Sequence, residues 1–327
     1  MSLSYKQRVW QNFRQSGLSM AALTVVVMLF VIAIAAPLIS NSKPYIFIDE
    51  TSGKIYLPII FNNSDLANKD LRLDKYKGFK IFPPVKYSYS EYDLNSIVAP
   101  PSKAHILGTD EQGRDLAARM IHGTTVSIFV GFIAVFIYFS IGIIIGAIAG
   151  YYGGIADLVI SRFIEIVICF PSFFLILTIL ALWGPSLISV MIVIGITGWT
   201  GIARIVRGEF LKIRELDFVK ASRAVGAKDY WIILKHILPN ALPPVLVSAT
   251  FGIASTILVE SSLSFLGFGV QPPTPSWGDI LSQSRDFMDF AWWLTLFPGL
   301  AIFITITAYN ILGEGLQDAL DPKSSGK

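Results

Sequence analysis

Six apolar runs, each long enough to cross a lipid bilayer, constrain what this chain can fold into. They cover roughly residues 20–40, 124–149, 158–182, 186–203, 241–265 and 292–312. About 20 apolar residues in a helix span a hydrocarbon core of about 30 Å. Hydrophobic residues make up 53% of the chain and charged residues only 15%, which excludes an ordinary soluble domain. The sequence therefore predicts an all-α polytopic membrane protein with six transmembrane helices.

The first apolar run has two interpretations. Ala33-Ile34-Ala35 resembles the cleavage site of a signal peptide. However, the run is full length, and a long flank with Lys6, Arg8 and Arg14 precedes it. We therefore expect a transmembrane helix here.

Basic residues predict the orientation, because short loops rich in Lys and Arg stay in the cytoplasm. The loop at 204–239 is strongly basic, and with six spans it lies on the same side as both termini. Its basic residues are Arg204, Arg207, Lys212, Arg214, Lys220, Arg223, Lys228 and Lys235. The chain thus divides into a cytoplasmic tail (1–19), a first transmembrane helix (20–40), an extracytoplasmic insert with an interfacial helix (41–123), a five-helix core containing the cytoplasmic loop (124–312) and a cytoplasmic tail (313–327).

The extracytoplasmic insert is polar and contains short β-like pieces at Tyr45–Ile48 and Ile55–Leu57. A small folded domain and an irregular loop both fit this pattern. After it, residues 110–123 can form an amphipathic helix along the membrane surface. That helix would point Leu116, Met120 and Ile121 inward and Arg114, Asp115 and Arg119 outward.

The sequence of the cytoplasmic loop predicts two short helices at residues 217–240. Asp217 can cap the first helix, and Gly226 can end it in a left-handed conformation. Asp229 can start the second helix, which we expect to stop at Pro239. The spacing places Phe218, Ala221, Ser222 and Val225 on one face of the first helix, suited to docking another protein.

This loop resembles the EAA loop of permease subunits in bacterial ABC importers. Lys220, Ala221 and Ser222 stand at its Glu-Ala-Ala positions, so Lys220 reverses a charge and Ser222 replaces an alanine. Gly226 matches the family glycine, and His236, Leu238 and Pro239 match the end of the motif, with His236 in place of an isoleucine. In the family this loop is a coupling helix held in a cleft of the ATPase subunit. The resemblance thus implies that these residues and Val225 form an ATPase-coupling loop.

Three further motifs resemble the branch that imports oligopeptides and dipeptides. They are LGTDEQGRD at 107–115, HILPN at 236–240 and SFLGFGVQPPTPSWGDIL at 264–281. The long insert resembles that of permeases importing microcin C and related oligopeptides. The resemblance implies the type I ABC importer permease fold in a bacterial inner membrane and a peptide substrate. The implied partners are a homologous permease forming a heterodimer, two ATP-binding subunits and an extracytoplasmic solute-binding protein.

The sequence contains no phosphate-binding loop and no hydrolase motif. Its single cysteine, Cys169, lies in an apolar run, and His105, His122 and His236 are far apart. We therefore expect no catalytic residue, no metal site and no cofactor, with ATP bound by the partner subunits. A nickel or nickel-chelate permease and a stand-alone secondary carrier remain alternatives. Positive-inside topology explains the basic loop, so no nucleic-acid partner is expected.

A few polar side chains lie within the apolar runs, where they are costly. Arg162 and Glu165 are three residues apart and can pair on one helix face. We favour a structural ion pair over a contact with substrate. Glu260 lies near the end of the fifth run, which fits either the mouth of the pathway or an interfacial position.

Small and aromatic residues mark two helix surfaces. Gly142, Gly146 and Gly150 form a small-residue strip for another helix, as at the interface of a permease dimer. Trp277, Trp292 and Trp293 lie where an aromatic belt is expected at the extracytoplasmic surface.

Overall fold

The computed structural model describes residues 5–50, 53–59, 61, 70–73 and 76–321. Lys323 and Lys327 of the predicted C-terminal tail lie outside these residues. The helices are α1 (Tyr5–Gln15), α2 (Gly17–Ile39), α3 (Leu116–Tyr152), α4 (Gly154–Ile168), α5 (Ser172–Trp183), α6 (Leu187–Thr197), α7 (Trp199–Ile213), α8 (Asp217–Ala224), α9 (Asp229–Ile232), α10 (Leu238–Phe265), α11 (Trp277–Gln283) and α12 (Trp292–Leu320). The strands are β1 (Ile46–Asp49), β2 (Ile55–Tyr56) and β3 (Gly78–Ile81).

Length and composition identify the membrane-spanning segments. Over the described ranges, five helical segments are long and apolar enough to span, at residues 17–39, 116–152, 187–213, 229–265 and 292–320. The pair α4–α5 makes a sixth if it is counted as one span bent by 77°. The bend lies at Pro171, which cannot donate a backbone hydrogen bond and so interrupts the helix. The all-α polytopic prediction is confirmed.

The chain folds as two compact units. The first contains the described residues within 1–26, 130–260 and 304–327, and the second contains those within 27–129 and 261–303.

In the first unit, α3 packs closely on α7 through the predicted glycine strip. A Cβ on Gly146 would lie 2.5 Å from the carbonyl oxygen of Ala203, and one on Gly150 would lie 2.5 Å from Cβ of Phe210. Only glycine permits this approach of the two helices. The strip therefore does receive another helix, but that helix belongs to the same chain. Helix α7 already occupies the strip within the single chain. The interpretation of the strip as a contact between two permeases is therefore wrong.

In the second unit, the insert forms a folded antiparallel sheet. Its described strands follow the order β2-β1-β3. Phe47 and Leu71 are buried beneath it. This outcome favours the small-domain interpretation over an irregular loop. The predicted pieces at Tyr45–Ile48 and Ile55–Leu57 correspond to β1 and β2, whereas β3, with the sequence GFKI, was not predicted.

The predicted surface helix at residues 110–123 is wrong. Helix α3 begins at Leu116 and continues without a break to Tyr152. Arg114, Asp115 and Arg119, expected to point outward, are at most 2% exposed. Each of these side chains has a polar partner inside the protein, which an amphipathic pattern does not reveal.

The predicted aromatic belt is also largely wrong. Trp277 and Trp293 are buried, and their indole N–H groups donate to the carbonyl oxygens of Met120 and Thr109. Trp292 is exposed. Two of the three side chains therefore pack within the second unit and satisfy their polar ends there.

Helix α10 passes through the proline that was expected to end the preceding helix. Residues Ile233–Ile237 form a π-helical turn, and the N–H of Leu238 donates to the carbonyl of Ile233, five residues earlier. Pro239 then stands in the first turn of α10, where a missing N–H is tolerated. The wider π turn thus carries the helix past Pro239.

Candidate functional site

Helix α8 forms the centre of the basic loop at 204–239. It begins after Leu216, whose backbone is extended, so the predicted cap at Asp217 is off by one residue. Asp217 instead lies in the first turn, where its carboxylate opposes the positive end of the helix dipole.

The end of α8 agrees with the prediction at Gly226. This residue has φ +81°. The N–H of Gly226 donates to the carbonyl of Arg223 (3.0 Å), and that of Ala227 donates to the carbonyl of Ser222 (3.1 Å). Together these bonds form a Schellman motif, which requires a left-handed residue at the glycine position.

One face of α8 is open to solvent. Phe218, Ala221 and Val225 are exposed, with Val225 84% exposed, and Ser222 is half-buried. We call these four residues the coupling face. Val219 on the other side is buried, and so fixes how the helix is rotated. Further exposed apolar side chains of the loop are Leu216, Tyr230, Trp231 and Leu234.

Lys220, the position at which the charge is reversed, has a local partner. Its Nζ lies 3.4 Å from Oε2 of Glu215, and both side chains are more than half exposed. A surface pair of this kind contributes little to stability, about 0–1 kcal/mol. The reversed charge is therefore partly balanced within the loop itself.

The loop is anchored to the end of α3. Arg214 donates from Nη1 to the carbonyl oxygens of Gly150 (3.0 Å) and Tyr151 (3.3 Å). The Tyr151 hydroxyl donates to Asp229 (2.7 Å), and the Arg223 guanidinium lies 5.4 Å from the Tyr151 ring centroid. Sequence reasoning missed Tyr151, because nothing local marks a tyrosine whose partner is 78 residues away.

Of the last three residues of the predicted loop motif, His236 contacts α8. The ring of His236 lies 6.3 Å from that of Phe218, so this position adjoins the coupling face. Leu238 is half-buried and Pro239 exposed at the start of α10.

The polar residues predicted within the membrane separate into an exposed pair and a buried acid. Arg162 donates to Glu165 across 2.6 Å, and their side chains are 70% and 59% exposed, so the expected pair forms. Glu260 is fully buried on α10, and its predicted place at the pathway mouth or at the interface stays a prediction. A missed pair joins α4 to α7, where Arg207 donates from Nη2 to Asp157 across 2.8 Å.

Two of the motifs that carry the resemblance meet in a buried ion network in the second unit. Asp110 accepts from Nε of Arg114 (2.7 Å) and lies 3.2 Å from Nε of Arg119. Arg119 also donates to Asp279 of α11 (2.7 Å). Asp110 and Arg114 come from LGTDEQGRD, and Asp279 comes from SFLGFGVQPPTPSWGDIL. The network joins the motif loop and the start of α3 to α11.

A second buried pair lies beside this network. Nδ1 of His105 lies 2.8 Å from Asp115, whose other oxygen accepts from the N–H of Ala118 (2.8 Å). Burial raises the pKa of the Asp115 carboxyl, although these hydrogen bonds act in the opposite direction. Within the described residues, no group of three His, Cys, Asp or Glu side chains is placed to hold a metal ion.

Comparison with known proteins identifies a family. A family model for the inner membrane component of binding-protein-dependent transport systems matches residues 142–326. A model for the N-terminal TM domain of oligopeptide transport permease C matches residues 4–58.

Relatives and a solved structure agree with these matches. The dipeptide transport system permease protein DppC of Bacillus subtilis is 36% identical over 323 residues, which cover 98% of this chain and 87% of that protein. The oligopeptide transport system permease protein OppC of Haemophilus influenzae is 42% identical over 239 residues, covering 72% and 77%. The inward-facing MetNI methionine ABC transporter (CY5 native crystal form) matches with TM-score 0.53 and 20% identity, covering 63% of this chain and 98% of that one, which supports the fold.

The first family model covers more than half of the sequence, and the DppC relative extends over almost all of it. The chain therefore belongs to the family of binding-protein-dependent transport system inner membrane components, as an OppC/DppC-like permease.

Proposed function

We propose that this chain is one of two permease subunits of an ATP-driven peptide importer and forms half of the translocation pathway. A homologous permease, two ATP-binding subunits and an extracytoplasmic solute-binding protein complete the assembly. The observation that carries this proposal is the coupling face on α8, which is exposed although it is largely apolar. An exposed apolar surface on a rigidly held helix is suited to a protein partner.

The contacts around α8 support a mechanical role. A force on the coupling face reaches α3 through Arg214, Asp229 and Tyr151. The glycine strip packs α3 against α7, so these two helices can move together as one body. Closure of the ATPase subunits would then rock the helices of this subunit between inward- and outward-facing states.

One hydrogen bond supports an orientation for the bent pair α4–α5. Tyr151 at the end of α3 bonds Asp229, so the end of α3 and the loop after α7 lie on the same side of the membrane. Residues 187–213 cross the membrane and end at that loop. This arrangement supports a crossing of α4–α5 in the opposite direction, which gives six crossings with both termini on the side of the basic loop. By the positive-inside rule that side is the cytoplasm.

The proposed cargo is a peptide, because the relatives described above are named as dipeptide and oligopeptide permeases. Energy would come from ATP bound and hydrolysed by the partner subunits.

Purification of the tagged chain in mild detergent, followed by ATP-dependent peptide uptake into vesicles, tests the proposal. The informative variant is Ala221→Trp, which enlarges the coupling face. Ala224→Trp is its matched control, because Ala224 is also exposed on α8 but lies outside that face. We expect Ala221→Trp to lose the ATPase subunits and peptide uptake, and Ala224→Trp to retain most of both.

Three results would contradict the proposal. The first is equal behaviour of the two variants, which would show that the coupling face does not dock the ATPase. The second is uptake without ATP by the chain alone, as for a secondary carrier. The third is ATP-driven uptake of nickel or its chelate in place of peptides, which would replace the cargo.

A further inference from the structure

The sheet of the insert has an apolar face that stays partly exposed among the described residues. Ile46 stands opposite Ile81, and Ile48 stands opposite both Phe79 and Ile55. Residues directly opposite each other on neighbouring strands share one face of a sheet. These five side chains therefore lie on the same face, which we call the isoleucine face.

The opposite face of the sheet holds the small core of the insert. Phe47 and Tyr56 stack there with their ring centroids 6.0 Å apart, above the buried Leu71. The sheet therefore packs against the core of the insert with one face only. On the other side Ile55 is 69% exposed, Phe79 60% and Ile81 41%. A cluster of this kind on a domain outside the membrane marks a contact with protein or lipid.

The sheet is fastened to the end of a membrane-spanning helix. Val85 donates to the carbonyl of Ile39 (3.1 Å), and the hydroxyl of Tyr45 donates to the carbonyl of Leu38. The N–H of the same tyrosine donates to Ile81 at the end of β3 (2.7 Å). One tyrosine therefore joins the last turn of α2 to the end of β3.

This attachment places the sheet beside the end of α2, next to the surface of that helix that faces lipid. Ile34 and Leu38, on the last turns of α2, are 73% and 49% exposed. The polar headgroup region extends about 5–8 Å beyond the hydrocarbon core on each side. Lys54 and Lys77 are exposed beside the face, and neither forms an ion pair with a described residue. Lysines in such positions can extend towards lipid phosphates.

We propose that the isoleucine face rests in the headgroup and upper acyl region of the adjoining phospholipid leaflet. The insert is then a membrane-resting domain, held by α2 on one side and by lipid beneath the sheet. The choice of the outer leaflet rests on the proposed function, which places the insert on the side opposite the basic loop.

Spin labels at single cysteines test this contact. Cys169 is the only cysteine, so Cys169→Ser provides the background. Phe79→Cys and Ile55→Cys place labels on the isoleucine face, and Leu94→Cys places one on an insert residue that is 77% exposed and outside the sheet. Each labelled protein is studied in phospholipid nanodiscs, by collision with oxygen, which concentrates in lipid, and with a water-soluble nickel chelate.

We expect the labels at 55 and 79 to show a higher ratio of oxygen to nickel collisions than the label at 94. Two outcomes would overturn the proposal. Equal ratios at all three positions would mean that the face is in water. Shielding of 55 and 79 from both reagents would mean that a protein covers it, either a second copy or a partner subunit. Two labelled strands guard against local misfolding at one position, and peptide uptake by the same samples tests the proposed function separately.

Discussion

At the scale of single residues, Gly226 is required for its backbone and not for the space around it. A Cβ at this position would meet no atom within 4 Å, yet its φ is +81°. A β-branched residue there costs about 1–2 kcal/mol from backbone strain, whereas asparagine tolerates this conformation better. We expect Gly226→Val to lower ATP-dependent uptake per inserted molecule and Gly226→Asn to retain more of it. Equal uptake by both variants would show that the Schellman motif is not needed for coupling.

Asp110 is the residue on which the buried ion network depends. Its Oδ1 accepts from the N–H groups of Gln112 and Arg114, and its Oδ2 faces two arginines. Asp110→Asn can keep the backbone bonds but removes the charge, leaving two buried guanidinium groups with Asp279 as their remaining partner in this network. The expected loss of unfolding free energy is about 3–5 kcal/mol. Unfolding in mixed detergent micelles measures it.

A matched surface pair is the control for the network. Lys212 lies 3.9 Å from Glu209 and its side chain is 74% exposed. Lys212→Gln should change the same free energy by less than about 1 kcal/mol. An equally small effect of Asp110→Asn would mean that water or local rearrangement stabilises the arginines.

At the scale of elements, Gly146 and Gly208 differ in what surrounds them: Gly146 lies in the contact between α3 and α7, and Gly208 lies outside any close contact. Gly146→Ala places a methyl group 2.5 Å from the Ala203 carbonyl oxygen, so the helices must separate, at a cost of about 1–3 kcal/mol. Gly208 on α7 has no atom within 4 Å of a built Cβ, and Gly208→Ala should gain up to about 1 kcal/mol from helix propensity. The unfolding free energies of the two variants should therefore change in opposite directions. A stabilising Gly146→Ala would contradict the packing described here.

The sequence predicted elements whose signals are local and missed contacts between distant residues. The apolar runs, the glycine at the end of α8 and the pair Arg162–Glu165 all follow from short-range spacing. Arg119 was misplaced because its partner Asp279 is 160 residues away, and a charged residue without a visible partner is expected in water. Strand β3 was missed because four residues that include a glycine and a lysine carry little strand signal.

At the scale of the whole molecule, the number of crossings depends on the bent pair α4–α5. If this pair returned to the same side, the α7 end of the span at 187–213 would lie on the side opposite the end of α3. The bond between Tyr151 and Asp229 could not then form. From this bond we expect Ser186, between α5 and α6, to lie on the side of the insert.

Labelling of single cysteines in intact cells tests this topology in the Cys169→Ser background. A membrane-impermeant maleimide should modify Ser186→Cys and Leu94→Cys in intact cells, because both positions are exposed and the proposed topology places them outside the cytoplasm. Ala224→Cys on α8 should react only after the membrane is permeabilised. If Ser186→Cys also required permeabilisation, α4–α5 would be a re-entrant loop. The termini would then lie on opposite sides of the membrane. The hydrogen bond between Tyr151 and Asp229, which anchors the coupling loop, could not form in the membrane-embedded protein.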